Sequence, residues 1–108
     1  MIDEKFVKKQ KSVIEKNIAR LEKEIAQNRE FVDIGSTNED NAMEFEELEE
    51  KQALIKTAEK DLKEFKAALK RIEEGKYGIC VKCGQPIEIG RLKAYPEAVY
   101  CATHAEED

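Results

Sequence analysis

From about Ile2 to Val32 apolar residues recur at helical spacing, with neither Gly nor Pro to interrupt them. Val7, Ile14, Leu21 and Asn28 stand seven apart, and Ile18, Ile25 and Val32 make a second seven-spaced row four positions on. The result is one apolar seam of period 3.5, which predicts a helix with a single partner. Asp33-Ile34-Gly35-Ser36-Thr37-Asn38 then breaks the pattern with residues that favour turns. Ser36 with Glu39, or Thr37 with Asp40, has capping-box spacing, so a second helix is expected to begin here. Leu48, Ile55, Leu62 and Leu69 repeat every seven residues, interleaved with Ala58, Phe65 and Ile72, up to a stop at Gly75. Two such seams bury each other most simply as a long antiparallel helical hairpin, an arm on the order of 45 Å at 1.5 Å per residue. The same seams can also pair two chains, but the intrachain turn keeps the closure entropy small and favours the hairpin.

Beyond Gly75 the periodicity ends, and Pro86, Gly90 and Pro96 argue against long elements. Arg91-Leu92-Lys93-Ala94 has the length of one helical turn, and Ala98-Val99-Tyr100 reads as a short extended piece leading to Cys101. All three cysteines and the only histidine lie in this segment, as Cys80-Val81-Lys82-Cys83 and Cys101-Ala102-Thr103-His104, with 17 residues between the pairs. A two-residue spacer lets one tight turn present both side chains to the same ion, and a second pair closes a tetrahedron. Gly78 and Gly84 flank the first pair and supply the positive φ that a knuckle needs. A redox Cys-x-x-Cys needs only Cys80 and Cys83, ordinarily opening a helix after a strand, and no strand precedes this pair. The expected site is one structural Zn²⁺ held by Cys80, Cys83, Cys101 and His104, with no open position for catalysis. The fold class is mainly α: a hairpin over 1–75, then a small zinc-ribbon-like module over 76–108.

Composition sharpens this. Charged residues are 40% of the chain and the formal net charge is −5, a balance that suits exposed helices better than a broad core. Nine carboxylates and no Lys or Arg lie between Glu30 and Glu50. Those near a helix start answer the macrodipole, but the run Glu46-Glu47-Leu48-Glu49-Glu50 crowds like charge and points to a positively charged or metal-bearing partner. The tip, near 33–44, is therefore acidic. Lys76, Lys82, Arg91 and Lys93 form only a modest basic cluster, so sequence-specific binding to nucleic acid is not expected. With no apolar run of membrane-spanning length or signal-peptide core, and an odd cysteine count, the chain is expected to be cytoplasmic, monomeric and independent of membranes. No phosphate loop or catalytic constellation is visible, and no enzyme is predicted.

The stretch Leu69-Lys70-Arg71-Ile72-Glu73-Glu74-Gly75-Lys76-Tyr77-Gly78-Ile79-Cys80-Val81-Lys82-Cys83-Gly84-Gln85-Pro86-Ile87, continuing through Arg91-Leu92, Ala94, Pro96 and Cys101, resembles the signature of the DksA/TraR zinc-finger family. The resemblance implies a bacterial transcription regulator that binds RNA polymerase and inserts its coiled-coil tip into the secondary channel, toward the active-site Mg²⁺. The family's tip motif, Asp-x-x-Asp-x-Ala, falls on Thr37 to Ala42: Asp40 and Ala42 are kept, Thr37 replaces the first acid, and Glu39 supplies a nearby charge. The resemblance thus implies partner contacts at Thr37, Glu39, Asp40 and Ala42. Where the family usually has a fourth cysteine, this chain has His104. Two further readings stay open: a channel factor of the transcript-cleavage type, and a zinc-stabilised interaction module for another basic partner.

Overall fold

The computed structural model describes residues 3–37 and 44–104, without the side chains of 33–37. Its first helix, α1, spans Glu4–Thr37. Asp3 starts it: its carboxylate accepts the Phe6 N–H at 2.8 Å, satisfying one of the donors that every helix start leaves unpaired. The expected break after Val32 is not found, because α1 continues through Gly35 to Thr37. One glycine costs a helix only about 1 kcal/mol, too little to end one already more than thirty residues long. Ser36 and Thr37 are therefore helical residues and not caps of the next helix.

The second helix, α2, spans Phe45–Glu73, with Glu46 and Glu47 in its first turn and Lys70 and Arg71 in its last, each sign at the favourable end of the macrodipole. Its end is a Schellman turn: Gly75 N–H donates to Ile72 O at 3.1 Å and Lys76 N–H to Arg71 O at 2.8 Å, with Gly75 at φ 73°. The third helix, α3, is the short piece Ile89–Ala94. Among the described residues the only β-pairing outside strands is an isolated bridge between Ile79 and Pro86.

The chain divides into two compact units. In the unit of residues 18–63, Leu21 and Ile25 of α1 and Ile55 and Ala58 of α2 are buried. Arg29 meets Glu59 at 2.9 Å and Lys51 lies over the Phe31 ring, so α1 residues ascend as α2 residues descend, which is antiparallel pairing. The Arg29–Glu59 pair is exposed and contributes about 0–1 kcal/mol; the apolar seam carries this unit.

The unit made of residues 1–17 and 64–108 combines the beginning of α1, the end of α2 and the cysteine-bearing segment. Ile14 and Leu92 are fully buried, beside Phe65, Ala68, Tyr77 and Ile87. A polar residue sits in this core. Gln10, 4% exposed, donates to Leu92 O at 2.7 Å and to Tyr77 Oη at 3.1 Å, while Tyr77 Oη donates to Pro96 O at 2.8 Å. One α1 side chain thereby fixes two separate points of the C-terminal segment, and Tyr77 carries the network on to a third. Burial and its hydrogen-bond partners act oppositely on Tyr77: loss of hydration raises the phenol above its ordinary value more than the Gln10 bond lowers it, so it stays a neutral donor.

Gln10→Ala strands a buried carbonyl as well as losing both bonds, and it should destabilise the protein by about 2 kcal/mol in urea denaturation. Tyr77→Phe, which leaves the Gln10–Leu92 bond in place, should cost about 1 kcal/mol. Equal, negligible effects would show that the network does not hold this unit together.

Candidate metal centre

The first Cys-x2-Cys forms a knuckle because its backbone closes on itself. Gly78 and Gly84 take φ values of 80° and 73°. Cys80 N–H donates to Gln85 O at 2.8 Å, Gly84 N–H to Cys80 O at 2.9 Å, and Ile87 N–H to Gly78 O at 2.8 Å. Arg71, at the end of α2, donates to Lys76 O at 3.0 Å and also to Ile79 O, so the helix terminus orients the knuckle directly. The second pair lies in a turn closed by His104 N–H to Cys101 O at 3.0 Å. Three bonds tie the second turn and its approach to the rest: Val81 N–H to Val99 O at 2.9 Å, Arg91 Nε–H to Tyr100 O at 2.9 Å, and Ala102 N–H to a Glu88 carboxylate oxygen at 3.2 Å.

These turns bring Cys80, Cys83, Cys101 and His104 together, with one donor atom from each lying within 4.8 Å of all the others. Cys80 and Cys101 are buried, Cys83 is exposed and His104 is half-buried. A tetrahedral ion with Zn–S of about 2.3 Å and Zn–N of about 2.0 Å sets its donors roughly 3.8 Å apart for S···S and roughly 3.5 Å for S···N. The structure has Cys83 Sγ···Cys101 Sγ at 3.8 Å, with His104 Nδ1 at 3.7 Å from Cys80 Sγ and 3.3 Å from Cys101 Sγ. These edges fit a zinc ion.

The donors' acidities reflect the crowding. Desolvation pushes the Cys80 thiol up, but hydrogen bonds with the backbone of Cys101, Cys83 and Lys82 together outweigh it and bring the thiol to about 6. His104 beside it lowers Cys101, and Cys101 in turn raises His104, with Cys80 adding to the effect. At Cys83 a backbone hydrogen bond from Gln85 acts downward, yet desolvation and the neighbouring thiols raise the group overall. Cys80 and Cys101 are thus shifted toward the thiolate and Cys83 away from it, and a dication held among the three sulfurs would favour the ionised form of each.

Of the tip residues, Thr37 is the last residue of α1. Glu39, Asp40 and Ala42 lie outside the described residues. The structure adds supports that sequence reasoning missed: Gln10, Tyr77, Glu88 and the Arg71 and Arg91 side chains. Arg71, Tyr77 and Arg91 stand in the stretch that carries the family resemblance, and Gln10 is a polar residue three positions after Val7 on the seam face of α1.

A helical hairpin joined to paired Cys-x2-Cys and Cys-x2-His knuckles defines a zinc-finger protein of the hairpin-and-knuckle kind. Residues 75–103 match the prokaryotic dksA/traR C4-type zinc finger. An uncharacterized protein of Aquifex aeolicus is 40% identical over 88 residues, 82% of this chain and 56% of the relative. The RNA polymerase-binding transcription factor DksA of Caulobacter vibrioides is 32% identical over 81 residues, 75% of this chain and 52% of the relative. Its Escherichia coli K12 namesake is 30% identical over 88 residues, 82% and 54%. The chain belongs to the DksA/TraR family. It spans a little over half the length of these relatives. The transcription factor DksA2 of Pseudomonas aeruginosa has the same fold, with a TM-score of 0.83 over 97% of this chain and 84% of that one, at 22% identity. No described helix is long and apolar enough to cross a membrane.

Zinc must displace whatever protons its donors hold, so acid weakens binding. From pH 8 to 5 the proton on Cys83 competes throughout, that on His104 below its raised pKa, and that on Cys80 below about 6. A plot of log affinity against pH, measured against a chromophoric chelator, should therefore steepen as pH falls. A constant slope would contradict this ordering of the donors.

Proposed function

We propose that this chain is a zinc-stabilised, non-enzymatic transcription regulator that binds bacterial RNA polymerase. The observation that carries the reading is the match of residues 75–103 to the family's zinc finger, together with similarity over 75–82% of the chain to relatives named as RNA polymerase-binding transcription factors. Cys80, Cys83, Cys101 and His104 hold one Zn²⁺, which cross-links two turns that bury too little to fold unaided. Structural zinc contributes an apparent ~10 kcal/mol or more in finger peptides, ample for a module of this size.

In this reading Gln10, Tyr77 and Arg71 hold the module on the helix ends, and the module docks on the rim of the polymerase secondary channel. The hairpin enters the channel and brings its acidic tip toward the basic, Mg²⁺-containing site, where carboxylate oxygens are favoured. Asp40 is the tip acid retained from the family pattern and is assigned the main contact; Thr37, Glu39 and Ala42 shape it. The acids Glu46, Glu47, Glu49 and Glu50, exposed at the start of α2, extend the negative charge behind the tip.

The zinc-loaded protein should bind core RNA polymerase and be displaced by a known secondary-channel factor. No binding at tens of micromolar, where weak specific contacts still register, would end the proposal. Asp40→Asn should preserve folding and affinity and alter transcriptional output from a responsive promoter; unchanged output at saturating protein would remove Asp40 from the mechanism. Cys83→Ser should lose zinc and the ordered C-terminal module while the hairpin's helical circular dichroism largely persists; retained zinc would contradict the ligand assignment.

A further inference from the structure

The matched finger, over residues 75–103, is of the C4 type, yet the fourth clustered donor here is a histidine, His104. Histidine offers two nitrogens at different distances from its backbone, and which one is used depends on how close the turn brings the residue to the ion. In the Cys101–His104 turn the hydrogen bond from His104 N–H to Cys101 O, 3.0 Å long, holds the His104 backbone near the sulfurs. The near nitrogen is the one that completes the cluster: Nδ1 lies 3.3 Å from Cys101 Sγ and 3.7 Å from Cys80 Sγ. These distances bracket the roughly 3.5 Å expected between a thiolate sulfur and an imidazole nitrogen on one tetrahedral zinc. Nε2 is on the far side of the ring. To present it instead, the whole residue would have to withdraw from the cluster, which the two-residue spacer and the closed turn oppose.

We propose that His104 binds the zinc ion through Nδ1, and that use of this near nitrogen lets a histidine serve where a thiolate would, three residues on from Cys101. Cysteine Sγ is one bond closer to Cα than Nδ1, and the longer Zn–S bond, about 2.3 Å against about 2.0 Å for Zn–N, makes up part of that difference. Nε2 keeps the ring proton and is left on the outer edge of the module as a hydrogen-bond donor. With three thiolates instead of four, the zinc complex carries a charge of −1 and not −2. The inference rests on the reading of the four donors as zinc ligands.

The test uses the full chain, labelled with ¹⁵N at histidine and loaded with ¹¹³Cd in place of zinc. His104 is the only histidine, so its signals need no further assignment. A one-bond cadmium–nitrogen coupling at Nδ1, with Nε2 protonated, is the expected result. Coupling at Nε2, or bound cadmium with no coupling to either nitrogen, overturns the proposal while leaving a metal finger in place. Failure to take up either cadmium or zinc overturns the zinc reading itself. His104→Cys should keep a full equivalent of metal and move the cadmium resonance to the all-sulfur range. Loss of metal by that variant would overturn the interchange of near nitrogen and thiolate.

Discussion

Three thiols and an imidazole lie within 4.8 Å of one another, where the thiols repel each other once ionised, and the chain commits much of its C-terminal backbone to placing them there. Two glycines at positive φ, a bridge between Ile79 and Pro86, and a bond from Val81 to Val99 converge on this one point. The apolar residues around it, such as Leu92 and Ile87, are few. Such an arrangement has little reason to hold without a cation, since burial of two or three aliphatic side chains contributes only a few kcal/mol. The module's order and its metal chemistry are thus one problem.

That order reaches the helices through polar contacts. The Schellman turn at Gly75 ends α2 and also aims Arg71 at the carbonyls of Lys76 and Ile79, so helix end and knuckle share a hydrogen-bonded joint. Gln10 does the same from α1 through Leu92 and Tyr77. A fully apolar interface could slide; buried amides and phenols tolerate only the geometry that satisfies them, because each unmet bond costs on the order of 1–3 kcal/mol. The hairpin end and the metal module are therefore held in a defined register within this unit.

The seam residues, the stop at Gly75, the positive φ at Gly78 and Gly84 and the four clustered donors were all legible in the sequence, because each follows from local spacing or from a residue type with one conformational use. Three features were not. Gln10 is polar on an apolar face, and only the tertiary partners Leu92 and Tyr77 explain why it is buried. Ala68 is almost fully buried although it lies outside both seven-spaced rows, since close helix approach selects a small side chain by contact and not by period. The extension of α1 through Gly35 runs against a local propensity worth about 1 kcal/mol, a preference that a long helix overrides.

Charge divides along the same lines as structure. Residues 18–63 carry thirteen carboxylates against seven Lys and Arg, whereas the unit of 1–17 and 64–108 has eleven against twelve. A hairpin stabilised only by its seam has no need of that excess, because like charges on neighbouring turns oppose helix formation. The excess is concentrated between Glu30 and Glu50, where no basic residue offsets it, and so it acts outward as a field. A field of that sign is screened over about 10 Å at 0.1 M salt, so it acts only on a positively charged partner that comes into close contact with this acidic segment.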